Sequence, residues 1–572
     1  MEKGTARSYA GRRWLLTGVF IVANALLLWR AADLQIFNAE LLRQHGDARS
    51  VRDVAIVAHR GMIVDRNGEP LAISTPVSSV WVTPKEVPRR DARLAQLARI
   101  LELEPAALRG VQEMRLQREF VYIKRQVTPD QAQSVAALRI PGVHLEREYK
   151  RYYPAGEIAA HVVGFTNVDD SGQEGMELAF DDWLRGEPGA KRVLKDRIGR
   201  PVQDIESIRP PAPGRQIELS IDRRLQYLAY RELKLAVAAN GARSGSLVML
   251  DPATGEVLAI AAQPSFNPNN RSGFRSEFYR NRPVTDLFEP GSTLKPFTIA
   301  AALQSGRFTP ATVIETGPGV MAVSNHFIRD VRDFGTIDVA NVIRKSSNVG
   351  ASKIALSLGP EPLWNLFSAL GFGRGTGSGF PGEAAGQLQN FKNWSELELA
   401  TAAFGYGISV TALQLAQAYA ALASEGLLRP VSLQKVTGQV PGQTVIPAAV
   451  AAQVRAMLET VVQPDGTGHR AAVRGYRVAG KTGTVHKVVA GVYAEDRYMS
   501  LFAGFAPASA PRLVLVVMID EPKMGKYYGG LVAAPVFARV MQGALRILAV
   551  PPDDLPLLEG KVVVAGQDPS PL

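Results

Sequence analysis

Three short clusters of side chains carry the chemistry this chain could perform. In Phe288-Glu-Pro-Gly-Ser-Thr-Leu-Lys-Pro-Phe297, a hydroxyl (Ser292) and an amine (Lys295) stand three residues apart. Pro290 and Gly291 make a tight turn, and the apolar run from Phe297 to Leu303 predicts a helix after it. Ser292 then stands at or near the helix N-terminus, where free backbone N–H groups favour negative charge. Lys295 follows one turn on, along the same face. A nucleophile, a base within reach and a place for an oxyanion are the parts of acyl transfer. Arg344-Lys-Ser-Ser-Asn348 supplies a second hydroxyl, Ser346, and an amide, Asn348. Lys481-Thr482-Gly483-Thr484 adds a cation and two hydroxyls suited to a substrate carboxylate, around a glycine that a substrate backbone could approach closely. Each pattern alone is weak. Ser432-Leu-Gln-Lys435 repeats the first spacing and reads as a surface coincidence, and Ser265-Phe-Asn267 repeats the second.

The elements that must position these clusters read as strand, helix, strand. Gly245–Asp251 and Glu256–Ala261 form a hairpin about Pro252-Ala-Thr-Gly255. Alanine-rich runs such as Thr411–Ala423 have helical spacing. Strands are predicted over Tyr476–His486, Arg497–Phe505 and Leu513–Asp520. Strands at both ends of a helical middle imply an α/β (α+β) domain, an antiparallel sheet with helices on its faces. A competing reading exists for Lys481. Gly475-Tyr-Arg-Val-Ala-Gly-Lys-Thr482 fits the phosphate-loop pattern, and Leu515–Glu521 resembles the acidic strand of a nucleotide hydrolase. That mechanism needs a helix beginning at the lysine. The glycines, threonines and valines after Lys481 oppose one, so this segment reads as strand and turn.

The rest of the chain sets the context. Its 572 residues allow several domains, and a net charge of +11 suits anionic partners, although no nucleic-acid motif accompanies it. There are no cysteines, and the seven histidines lack ligand spacing, so neither a metal nor a cofactor is expected. Trp14–Trp29 is uncharged and mostly apolar, with Lys3, Arg7, Arg12 and Arg13 before it. That pattern predicts one membrane span with a cytoplasmic N-terminus. Ala23-Asn-Ala25 could pass for a cleavage site, but Leu26–Trp29 continues the apolar run, which favours an uncleaved anchor. The expected division is a cytoplasmic tail (1–13), an anchor (14–36), an N-terminal module (37–215) ending in the linker Pro210–Gly214, a catalytic domain (216–550) and a loose tail (551–572). Within the N-terminal module, Asn67-Gly68 predicts a hairpin turn, and Asp65 and Glu177 read as paired structural carboxylates.

The Ser-x-x-Lys, Ser-x-Asn and Lys-Thr-Gly clusters in this order resemble the penicillin-binding proteins and serine β-lactamases. Arg60–Gly68, Arg151-Tyr-Tyr-Pro154 and Gly245–Ala261 resemble class B penicillin-binding proteins. Phe404-Gly-Tyr-Gly407, Ala506–Ser509 and Gly525–Gly530 resemble their cell-division branch in Gram-negative bacteria. The likeness runs from the anchor to about Ala549. It implies a five-stranded transpeptidase domain behind an elongated pedestal and interaction module. The implied activity is a septal peptidoglycan D,D-transpeptidase, with an acyl-enzyme on Ser292, release of D-Ala and inhibition by β-lactams. The family roles would make Lys295 the base, Ser346 the proton relay, Asn348 a ligand of the substrate peptide and Lys481 part of the same network. Thr482, Gly483 and Thr484 would bind substrate, with the N–H groups of Ser292 and Thr484 as the oxyanion hole. Implied partners are stem peptides, a polytopic lipid-linked glycan polymerase and other division proteins, with the catalytic domain periplasmic and anchored in the inner membrane at the septum. Tyr406, Tyr527 and Tyr528 stand equally as cleft-lining or packed aromatics, and His486 as a strand residue rather than a catalyst. A β-lactam-hydrolysing relative would need a placed acid such as Glu383, and a sensor would need more than 13 cytoplasmic residues. A purely structural division protein is the non-enzymatic alternative.

Overall fold

The computed structural model describes residues 10–40, 51–88, 90–104, 110, 118, 120–195, 201–270, 275–489 and 491–555. Residues 1–9 and 556–572, with most of both expected tails, lie outside the described residues. The chain divides into two compact units, residues 1–59 with 186–214, and residues 60–185 with 215–572.

The first unit contains helix α1, Ala10–Ala32, which carries the apolar run on exposed faces and continues through a wider turn at Asp33–Phe37. Gly11–Phe37 is long and apolar enough to cross a bilayer. Arg30 closes its end by pairing with Asp33 at 2.6 Å. Three antiparallel strands, Val51–Ile56, Gly189–Lys195 and Pro201–Arg209, complete this unit.

In the second unit the region before residue 185 is more regular than its arginine-rich sequence suggests. Pro70–Val82 pairs with Ile63–Val64, Val121–Val127 and Val143–Tyr152. The turn at Asn67-Gly68 joins the first pair, held by Asp65 Oδ1, which accepts from the backbone N–H groups of Asn67 and Glu69. Glu177 is indeed a structural carboxylate. Its oxygens take Arg60 Nε at 2.8 Å and Arg151 Nε at 2.6 Å, and Arg60 also reaches Asp181 at 2.7 Å. Burial opposes the charge on Arg60, but Glu177 and Asp181 more than offset it and hold the guanidinium protonated.

The remainder is built on one sheet. Its strands are β1 (Ser244–Leu250), β2 (Val257–Gln263), β5 (Ala479–Val489), β6 (Val492–Ala506) and β7 (Leu513–Asp520), with a small separate hairpin, β3 (Val320–Val323) and β4 (His326–Arg329), between β2 and β5 in the chain. The order is β2-β1-β7-β6-β5, every pair antiparallel, which leaves β5 at an edge. β1 and β7 are buried at every position, and apolar but for Ser244, Ser246 and Asp520, because both faces are covered. Leu247, Met249, Phe502, Leu515, Val517 and Ile519 face one core, with α2 (Arg223–Ala239) and the last helix, Ala534–Ile547. Val248, Leu250, Leu501, Val514, Val516 and Met518 face the other, with α3 (Lys295–Gln304), α4 (Val339–Lys345), α5 (Asn348–Leu358) and α6 (Ala412–Ala423). The two sets alternate along each strand, as a pleated sheet between two helical layers requires.

Two boundaries differ from the sequence expectation. β5 begins at Ala479 rather than Tyr476, and the β5–β6 hairpin runs on to residues 489 and 492. The residues just after 550 are not loose. Asp553 accepts from Arg477 N at 2.8 Å and Ser509 Oγ at 2.6 Å, and Asp554 N donates to Gly475 O at 3.1 Å. Lys481 lies inside β5, not at the start of a helix, so the phosphate-loop reading lacks the element it needs.

Candidate active site

Ser292 sits in a short 3-10 turn, Gly291–Leu294, that leads into α3. Pro296 pre-sets the backbone for that helix. Gly291 has φ of 54°, and a Cβ there would lie 2.4 Å from Val485 Cγ2. Its N–H donates to Gly405 O at 3.1 Å, and a Cβ on Gly405 would fall 2.3 Å from Gly291 O. The turn therefore rests backbone on backbone. Tyr419 on α6 adds a bolt from below, its OH donating to Thr293 O at 2.8 Å.

Ser346 ends α4 in the left-handed region, φ 64°. Ser347 then caps α5, its Oγ accepting from Gly350 N at 2.8 Å. Asp330 holds this corner, accepting from Ser347 Oγ at 2.6 Å, from Asn348 N and from Val349 N at 3.1 Å. Asn348 Nδ2 donates to Arg329 O at 2.9 Å, which turns its Oδ1 inward.

Lys295 is the hub. Its Nζ lies 3.0 Å from Ser292 Oγ, 2.6 Å from Ser346 O, 3.2 Å from Ser346 Oγ and 2.7 Å from Asn348 Oδ1. Lys481 Nζ lies 2.8 Å from the same Ser346 Oγ and 3.2 Å from Thr482 O. Both lysines are fully buried, and among the described residues neither forms an ion pair. Burial, reinforced by the nearby Lys481 and opposed by Asp330, holds the Lys295 amine well below the ordinary lysine range. Burial also lowers Lys481, to about 7. Ser346 O and Asn348 Oδ1 can only accept, so they engage two N–H bonds of Lys295. A neutral amine then has its lone pair left for a hydroxyl, and Ser292 Oγ is in position to surrender a proton to it.

Ser292, Ser346, Asn348, Thr482 and Thr484 line one cleft of about 580 Å³, with Lys295 and Lys481 behind them. Thr482 Oγ1 is 2.9 Å from Thr467 Oγ1, and Thr484 Oγ1 accepts from Gly529 N at 2.9 Å. Gly483 does not line the cleft. A Cβ there would meet Thr293 Cγ2 at 3.0 Å and Leu501 Cβ at 3.2 Å, so the room the glycine leaves is filled by the protein's own side chains. Tyr406, Tyr527 and Tyr528 do line it. Tyr527 stacks between Tyr498 and Tyr528, with ring centroids at 4.1 and 4.6 Å. His486 also faces the cleft, with Nδ1 2.9 Å from Ala494 O.

Several lining residues escaped the sequence reading: Val331, Lys345, Thr467, His469, Tyr498 and Leu531. Tyr498 is the cross-strand partner of His486, a signal available once the β5–β6 register is known. Thr467 comes from a loop with no pattern to mark it. Glu383 is spent elsewhere, accepting from Thr376 N at 2.6 Å and from Ser378 Oγ at 2.8 Å, and it lies outside the cleft. The decoys serve local needs. Lys435 pairs with Glu218 at 2.6 Å, and Ser265 Oγ donates to Glu157 O at 2.8 Å.

Comparison with known proteins adds independent findings. A family model described as the penicillin-binding protein transpeptidase domain matches residues 245–542, and one for the penicillin-binding protein dimerisation domain matches residues 55–219. The chain is 46% identical over 548 residues to the peptidoglycan D,D-transpeptidase FtsI of Escherichia coli (strain K12), covering 95% of this chain and 92% of that one. Among solved structures, it is similar to the apo transpeptidase domain of penicillin-binding protein 3 from Burkholderia pseudomallei (44% identity, 59% of this chain and 98% of that one, TM-score 0.55). It is also similar to penicillin-binding protein 3 from Mycobacterium tuberculosis in complex with aztreonam (28% identity, 87% and 98%, TM-score 0.69).

Proposed function

From the premise that this chain belongs to the penicillin-binding protein transpeptidase family, we propose that it cross-links peptidoglycan stem peptides through an acyl-enzyme on Ser292. The observation that carries the reading is Lys295 Nζ, 3.0 Å from Ser292 Oγ with two of its N–H bonds already engaged by Ser346 O and Asn348 Oδ1. In acylation the Ser292 proton passes to the neutral amine of Lys295, and Oγ attacks the carbonyl of a D-Ala-D-Ala bond. The backbone N–H groups of Ser292 and Thr484 receive the oxyanion, and Thr482 and Thr484 hold the terminal carboxylate. Ser346 Oγ, within reach of both lysines, relays a proton to the departing amine, the C–N bond breaks and D-Ala leaves. The amine of a second stem peptide then attacks the ester. A new amide forms, and Ser292 recovers its proton.

A β-lactam enters the same route and stays, because its acylated ring leaves no departing group to make way for an acceptor. The basic residues before the apolar run at Trp14 favour a cytoplasmic N-terminus, with the catalytic domain on the outer side of the inner membrane. At a division septum, its partners are a polytopic lipid-linked glycan polymerase and other division proteins.

The test is to label the full-length protein with a fluorescent penicillin and map the labelled peptide by mass spectrometry, beside Ser292→Ala. A stable adduct on Ser292, absent in the variant, is expected. Rapid turnover of the penicillin would point to a hydrolase, and labelling that survives Ser292→Ala would sink the assignment.

A further inference from the structure

The wall of the cleft that carries Asn348 continues into a ledge with two arginines that the acylation chemistry leaves unused. Val331, 79% exposed, lines the same cleft as Ser292. It follows β4 and stands between two exposed arginines, Arg329 and Arg332. Each guanidinium lies against an aromatic ring, Arg329 at 5.5 Å from the ring centre of Phe327 and Arg332 at 5.3 Å from that of Phe334. Phe327 is itself 64% exposed. The rings restrict the planes of the guanidinium groups without neutralising them. Neither arginine forms an ion pair among the described residues; the carboxylates that alternate with them accept from neutral donors instead. Asp330 is taken by Ser347, Asn348 and Val349, and Asp333 by Gly335 N at 2.8 Å. Through Asp330, and through Arg329 O on Asn348 Nδ2, the ledge is also clamped to the corner that carries Ser346 and Asn348.

We propose that Arg329 and Arg332 bind a carboxylate of the acceptor stem peptide, the chain whose amine attacks the acyl-enzyme; this rests on the transpeptidase reading and adds the acceptor side to it. Two features favour that occupant. The donor's terminal carboxylate belongs at Thr482 and Thr484 on the β5 wall, so the cations that flank the cleft-lining Val331 are left for a second ligand. Guanidinium groups match a carboxylate in shape as well as charge. Only the neutral amine attacks, so the carboxylate contact positions the acceptor rather than setting its protonation state. The step balances: the amine nitrogen bonds to the acyl carbon, the ester bond to Ser292 Oγ breaks, and the nitrogen's proton returns to Oγ.

The experiment uses the full-length protein, a thioester donor and a stem-peptide acceptor, and measures how the acyl group divides between water and acceptor as acceptor concentration rises. In Arg329→Gln/Arg332→Gln the half-saturating acceptor concentration should rise about fivefold, the size of one or two solvent-exposed ion pairs. An acceptor with amidated carboxyl groups should bind both proteins alike. Acylation by penicillin, which involves no acceptor, reads the donor half separately and reports folding at the nucleophile. An unchanged concentration dependence in the double variant, or an equal loss with the amidated acceptor, overturns the proposal. Absence of any Ser292 adduct in the unaltered protein overturns the transpeptidase reading instead.

Discussion

Lys295 and Lys481 share one acceptor: Ser346 Oγ stands 3.2 Å from the first amine and 2.8 Å from the second. Two buried ammonium groups on one hydroxyl, with no counter-ion bound to either among the described residues, repel each other and cannot both keep their charge cheaply. The pair therefore titrates as a unit, with both amines lowered by burial and Lys295 lowered further by the charge on Lys481.

The first prediction concerns rate against pH. The second-order rate of acylation by penicillin should rise with pH along an acid limb well below the ordinary lysine range, because the base must be neutral. In Lys481→Met the like charge that depresses Lys295 is gone, so the acid limb should move to higher pH. Profiles of the two proteins between pH 5 and 9 decide this, and coincident limbs would count against Lys295 as the base.

Stability should change with pH for the same reason. A lysine whose folded pKa is lowered binds fewer protons in the folded than in the unfolded chain, between its folded value and the ordinary lysine value. Stability contributed by such a group rises with pH across that window, and its full cost is felt below the folded value. For Lys481 the window opens at about 7. Urea unfolding should show a gain of up to about 2 kcal/mol from pH 7 to pH 9 that Lys481→Met lacks.

Asp330→Asn should slow acylation about tenfold while leaving the fold in place. The carboxylate orients Ser347, Asn348 and Val349 together, and an amide can accept from fewer of them with weaker bonds. Asn348 would lose its fixed aim at Lys295. The loss should appear in the rate of acyl-enzyme formation rather than in its subsequent hydrolysis.

Glu177→Gln should cost about 3–5 kcal/mol, since it leaves Arg151 buried against a neutral group and Arg60 with Asp181 alone. Denaturant unfolding of the full-length protein reads that loss. Acylation per folded molecule should be unaltered, as Glu177 takes no part in the cleft.

Gly405→Ala should cost about 2–4 kcal/mol and slow acylation as well. The new methyl would collide with Gly291 backbone, and φ at 405 is +84°. A melting curve and a penicillin titration of the same sample separate the two effects.

What the sequence made legible was local. The Ser292–Lys295 turn, the strands at 244–263 and 513–520 and the helix at 412–423 each follow from spacing within a dozen residues. Relations between distant segments were closed to it. Asp330 precedes the residues it caps by 17 to 19 positions, and Arg60 and Glu177 meet across 117. Nothing in a run of arginines says which one will be buried. Gly483 is instructive in another way: the absence of a side chain was visible, but whether substrate or protein would fill the space was not. That residues 551–555 are held was not legible, because prolines and the lack of a period say nothing about Asp553, a single acceptor well placed for Arg477 and Ser509.

The contact of Gly291 with Gly405 also bears on how such a protein can change by inheritance. Where backbone touches backbone there is no side chain through which to vary, so the seat of the nucleophile is closed to gradual adjustment. The opposite holds for the stack of Tyr498, Tyr527 and Tyr528, whose rings shape the cleft but hold no part of the turn. On the proposed acylation of Ser292, a lineage under selection by a drug that forms that adduct keeps the turn and has the shape of its aromatic wall free to change.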